Sequence, residues 1–114
     1  MARTVADAKD VISRFLAAIT GEIPVRKVVL YGSYANGSAT ADSDVDLAVV
    51  TPAFAHRKEG MRFLFHRAKP ISVDLEPIPV HPEVFDDPPR TSFAFEIKRT
   101  GVVVYDEQQG GLLI

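Results

Sequence analysis

The sequence predicts an α/β (α+β) domain with a small mixed β-sheet of about four strands flanked by helices. Three observations carry that prediction. Short apolar runs rich in β-branched residues recur at Val25–Tyr31, Val45–Val50 and Val102–Tyr105, as strands require. Stretches with helical apolar spacing alternate with them, at 4–20 and 56–69. Gly and Pro punctuate most of the junctions.

Taken in order, Val5, Ala8, Ile12, Phe15, Leu16 and Ile19 keep one helical face apolar, with Thr4 as N-cap and Gly21 as the stop. Glu22-Ile23-Pro24 turns the chain into the strand at 25–31. A short helix is expected from about Ser33, and the strand Val45–Val50 ends at Thr51-Pro52. From His56 to Lys69 a second amphipathic helix carries Met61, Leu64, Phe65 and Ala68 on one stripe and Lys58, Arg62, His66 and Lys69 on another. The basic stripe reads as a solvated face, or else as a contact for phosphates, an RNA or an acidic partner. Ile71–Ile78 alternates as a strand, placing Ser72, Asp74 and Glu76 on one face, with fraying expected at Pro77. The proline-rich stretch 79–90 is expected to be a loop. Thr91–Thr100 reads as a helix with Phe93, Ala94 and Ile97 inward, and the tail 106–114 as polar with an apolar tip that is disordered or docks on a partner.

Length and composition narrow the function. At 114 residues the chain is expected to be one domain over 1–114, with no room for a separate acceptor-recognition module, so a homo- or hetero-oligomer is expected to supply that surface. The net charge of −2 predicts no bulk attraction to nucleic acid. The lack of cysteine excludes disulfides and thiolate zinc sites and fits the cytoplasm, the expected location. No apolar run reaches membrane-spanning length, and no membrane role is expected. His56, His66 and His81 share no metal-ligand spacing.

The chemistry concentrates in LYGSYANGSATADSDVDLAVV, residues 30–50. Gly32-Ser33 directly follows a strand, where glycine permits a sharp turn and serine adds a hydroxyl beside free N–H groups, a means of holding phosphate. Asp44 and Asp46 stand two apart entering the next strand, so both carboxylates project from one side, and paired like charges call for a cation. A Walker loop is excluded because Ser38 and Ala39 follow Gly37 where lysine is required. An EF-hand is excluded because Leu47 and Ala53 stand where its Gly and Glu belong. Asp42 reads as a turn-capping residue.

Gly32, Ser33, Ala35, Gly37, Ser43, Asp44, Asp46 and Leu47 together match the spacing G-S-x-A-x-G-x-x-x-x-S-D-x-D-L. This resembles the signature of the polymerase β-like nucleotidyltransferase superfamily, most closely its minimal nucleotidyltransferase (MNT) domains. Asn36 departs from the arginine that many of them carry. The resemblance implies the polymerase β-like fold and transfer of NMP, with AMP from ATP expected, onto a hydroxyl. It implies two Mg²⁺ ions on Asp44, Asp46 and a third strand carboxylate, whose place Asp74 occupies; Glu76 lies two residues along. Gly32 and Ser33 would hold the β- and γ-phosphates, with Ser43 in the nucleotide site. MNT domains of this size also resemble antitoxins paired with a HEPN-type toxin, which they mask or adenylylate on a tyrosine. A nucleic-acid acceptor stays open, as does a non-catalytic nucleotide-binding or toxin-masking subunit.

Overall fold

The computed structural model describes residues 3–114. Its sheet has five strands in the order β3-β2-β1-β4-β5: β1 (Lys27–Tyr31), β2 (Val45–Val50), β3 (Leu75–Val80), β4 (Val102–Asp106) and β5 (Gly111–Leu112). β1 pairs antiparallel with β2 and β4, β4 pairs antiparallel with β5, and β2 with β3 is the parallel pair. A parallel neighbour needs a crossover, and α3 (Arg57–Ala68) supplies it.

Alternation along the strands gives the sheet two working faces. On one, α1 (Val5–Ile19) and α3 cover Val28, Leu30, Val45, Leu47, Val49, Leu75 and Val104. From α1 come Ile12, Phe15, Leu16 and Ile19, each buried and each contributing about 1.5–3 kcal/mol by leaving water. Thr4 caps α1 as expected: its N–H donates to Asp7 Oδ2 at 2.7 Å. The helix ends at Ile19 with Thr20 as C-cap, one residue before Gly21. Within α3, Gly60 is buried where a Cβ would stand 2.8 Å from Pro79 Cγ and 2.9 Å from Phe54 Cδ2, so glycine is what lets the helix pack this close.

The other face carries Val29, Ala48, Val50 and Val80 under Phe85 and Ile97. These two come from α4 (Pro82–Asp86) and α5 (Phe93–Thr100). The helix α4 replaces the loop expected over 79–90. Pro82 takes the first helical turn, where its missing N–H costs nothing, and His81 Nδ1 accepts from Glu83 N at 3.3 Å. The helix α5 starts at Phe93, two residues after Thr91, with Ser92 as its cap, accepting from Phe95 N at 3.2 Å.

Three further expectations are corrected. The strand expected over 71–78 runs from Leu75 to Val80, through Pro77 and Pro79. It tolerates both because β3 is an edge strand, paired with β2 alone. Phe93 does not point inward: it is 60% exposed, touching Tyr31 edge-on at 5.4 Å between ring centroids. The tail is neither disordered nor free, since Gly110 and Gly111, at φ +95° and +115°, turn it back to form β5. Ile114 then packs against the α1 side of the core. Among the described residues no helix is long and apolar enough to cross a membrane.

Candidate active site

At one end of the sheet, β1 runs out at Tyr31 directly opposite Asp46, near the start of β2. The chain then turns through Gly32 (φ +75°, ψ −146°) into the short helix α2 (Ser33–Asn36). Gly32 lies so close to Asp46 that a Cβ on it would stand 2.5 Å from Asp46 Oδ2. That single approach sets the glycine-serine loop against Asp46. Glycine is required twice over, by the positive φ and by the approach.

The rest of the loop is held by its own polar groups. Asn36 Oδ1 accepts from Ser38 N at 3.0 Å and from the Ser38 hydroxyl, so Asn36 serves the turn that closes at Gly37 (φ +84°). Ser43 Oγ accepts from Thr40 N at 2.9 Å, shaping the approach to Asp44. Of the residues expected in the nucleotide site, Gly32 lies against Asp46 and Ser33 follows it at the start of α2, whereas Ser43 acts on the loop.

Asp44 is exposed and Asp46 partly buried. Burial raises the Asp46 pKa first, and the charges of Asp44 and Glu76 raise it further. Negative charge is thus concentrated here, with oxygen donors only. The parallel register puts Glu76 of β3 opposite Asp46. Glu76 is bound by Lys69 Nζ at 3.0 Å, and the same ammonium donates to the Leu75 and Val73 carbonyls at 2.6 and 2.9 Å.

Asp74 is not in mid-strand as the sequence reading has it. It sits in the turn before β3, where its carbonyl accepts from Val45 N at 2.7 Å. The strand carboxylate facing Asp46 is Glu76, two residues along. The signal that could have found it is the tolerance of an edge strand for proline, which moves the strand past Pro77. Among the described residues no three carboxylate, His or Cys side chains converge on one cation position. This donor set still suits Mg²⁺, which is held by one or two carboxylates together with substrate phosphates rather than by an all-protein cage.

Tyr31 completes this end. Burial, then the Asp46 charge, push its phenol up to about 12; Arg57 opposes them and Glu76 adds to them. It stays a neutral hydroxyl across the working range of pH. Along the same face, towards the far ends of β2 and β3, lies a cleft of about 530 Å³. Ile78 and Val80 form its floor, Phe54 and Arg57 one wall, and Phe93 and Ile97 of α5 the other. Sequence reading missed it, because its roof depends on α4 and α5 meeting across the strands.

The solved structure of a protein of Sulfolobus solfataricus ascribed to the nucleotidyltransferases superposes with a TM-score of 0.60 at 15% identity, covering 94% of this chain and 84% of that one. At this identity the likeness establishes the fold, a mixed sheet flanked by helices of nucleotidyltransferase type. No curated protein matches the chain in sequence. A family model described as a nucleotidyltransferase domain matches residues 12–106, which takes in the Gly32-Ser33 loop, both aspartates and all of the sheet except β5. The chain therefore belongs to the nucleotidyltransferase domain family.

Proposed function

We propose that this chain is a minimal nucleotidyltransferase that moves NMP, with AMP from ATP as the first candidate, onto a hydroxyl acceptor. The observation that carries the reading is the contact of Gly32 with Asp46, which sets a phosphate-holding turn against a paired carboxylate site. In the transfer, negative charge grows on the attacking oxygen, the α-phosphate and the leaving pyrophosphate. Two Mg²⁺ ions held by Asp44 and Asp46 would supply the compensating positive charge at the attacking and leaving oxygens.

The chain's own residues do the rest. The backbone N–H groups and hydroxyl at Gly32-Ser33 receive the β- and γ-phosphates, fixing the direction of the leaving group. Asp44 and Asp46 would hold the α-phosphate end through the cation. A third carboxylate takes the acceptor proton. The resemblance nominates Asp74 and the register nominates Glu76, and the variants Asp74→Asn and Glu76→Gln separate them by which one loses transfer. The acceptor group is a hydroxyl; a tyrosine of a HEPN-type partner is the acceptor that the resemblance implies.

The test is calorimetric titration with each of the four NTPs and Mg²⁺, beside the double variant Asp44→Asn/Asp46→Asn. Metal-dependent binding that the variant loses supports the reading. Binding that the variant retains, or no binding of any NTP to the native chain, refutes it.

A further inference from the structure

We infer that the cleft between β3 and α5 is the acceptor site and that its occupant is a mononucleotide. This rests on the nucleotidyl-transfer reading above. Displacement at phosphorus is in line, so the attacking oxygen enters opposite the leaving pyrophosphate. The pyrophosphate end belongs to Gly32-Ser33, at the end of β1; the reacting phosphorus belongs to Asp44 and Asp46, on β2. In the order β3-β2-β1, the acceptor then arrives from the β3 side. That is where the cleft opens, on Ile78, Pro79 and Val80, along the same face as Glu76 and Asp46.

The lining says what the acceptor is. It contains Arg57, His56 and His81 and no carboxylate, which favours an anion and rejects a polycationic acceptor. Arg57 forms no ion pair among the described residues and is exposed, so its guanidinium is available to a phosphate. It lines the cleft and lies near enough to Tyr31, the residue paired with Asp46, for its charge to act on that phenol. His81 uses Nδ1 as an acceptor, which leaves Nε2–H as a donor. The walls are apolar and aromatic, with Phe93 60% and Val84 47% exposed. A flat base on such walls and a phosphate on Arg57 satisfy both halves of the lining. A single-ring hydroxy acid would leave most of a 530 Å³ space unfilled.

In the step itself, a ribose hydroxyl oxygen of the bound mononucleotide bonds to the α-phosphorus of the NTP. The bond from that phosphorus to the oxygen bridging to the β-phosphate breaks, pyrophosphate leaves, and the hydroxyl proton passes to the third carboxylate. The product is two nucleotides joined by a phosphodiester.

The experiment is calorimetric titration of AMP into the native chain without metal, and again in the presence of Mg²⁺ and a saturating non-hydrolysable ATP analogue. Arg57→Ala and Ala94→Trp, which fills the cleft, are run beside it, with circular dichroism to confirm their fold. We expect AMP to bind under both conditions, Arg57→Ala to weaken it roughly tenfold or more, and Ala94→Trp to abolish it. Displacement of AMP by the analogue would overturn the assignment by making the cleft the donor's own base seat. No AMP binding, binding indifferent to Arg57→Ala, or preference for 4-hydroxyphenylacetate would overturn it as well. Failure of the analogue to bind, with AMP binding still dependent on Arg57, would sink the nucleotidyl-transfer reading while leaving the cleft a mononucleotide site.

Discussion

Replacing Gly32 by alanine separates backbone strain from loss of the site. Gly32 has φ +75° and ψ −146°, a region that only glycine occupies at ease, so alanine costs about 1–3 kcal/mol in strain alone. The new Cβ would also stand 2.5 Å from Asp46 Oδ2, which forces the carboxylate aside or the turn outward. Overpacking of this kind adds about 1–3 kcal/mol, giving an expected total of about 2–6 kcal/mol. Gly37 is the matched control: it has φ +84° with nothing within 4 Å of a Cβ, so alanine there meets strain without collision. Its cost is about 1–2 kcal/mol. In a domain of this size each kcal/mol lowers Tm by roughly 4 °C, so melting curves resolve the two variants. Calorimetry with Mg²⁺ and ATP then reads the site, with binding lost in Gly32→Ala and kept in Gly37→Ala. Native affinity in Gly32→Ala, or equal loss in both variants, would refute the argument that this contact builds the site.

Two further perturbations act on different parts of the molecule. Because the folded Asp46 has a raised pKa, its contribution to stability is complete below the ordinary aspartate range and is lost as pH rises through the folded pKa. Asp46→Asn should therefore stabilise the metal-free chain at neutral pH, by under about 1 kcal/mol once solvent screening is allowed for, with the gain vanishing below about pH 4. Melting curves across pH check it, and a variant less stable than the native chain at pH 7 would contradict the electrostatic account. Leu64→Ala, at a fully buried position of α3 against the sheet, should cost about 2–5 kcal/mol in denaturant titration while leaving the carboxylate end in place.

What the sequence disclosed and what it hid have separate physical causes. The Gly32-Ser33 turn and the Asp44–Asp46 pair are legible because backbone conformation and side-chain alternation act over a few residues. The helix α1 is legible for the same reason, its apolar spacing and Thr4 cap being local. Glu76 is hidden in the sequence because the fraying expected at Pro77 argues against a strand there, and only the edge position of β3 lifts that objection. The helix α4 was hidden by prolines that read as loop, although Pro82 falls where a helix accepts it. The outward Phe93 follows from long-range placement, as α5 lies across the sheet with Tyr31 beneath its first turn. The fifth strand depends on Tyr105 and Asp106 being present as an edge to pair with, a fact that no local pattern in the tail carries.

The strand order also has a kinetic consequence. β1 meets β2 after one connection, 32–44, and that connection is itself the phosphate-holding loop; β1 meets β4 only after nearly the whole remaining chain has been placed, as Val29 pairs with Val103. Closing a short loop loses less chain entropy than closing a long one, so native pairing begins most cheaply between β1 and β2. The turn at Gly32 thus has two tasks at different times. During folding it is the nearest closure available to the sheet, and in the folded chain it sets the distance between phosphate and carboxylate. A substitution there is expected to slow the gain of structure as well as to empty the site.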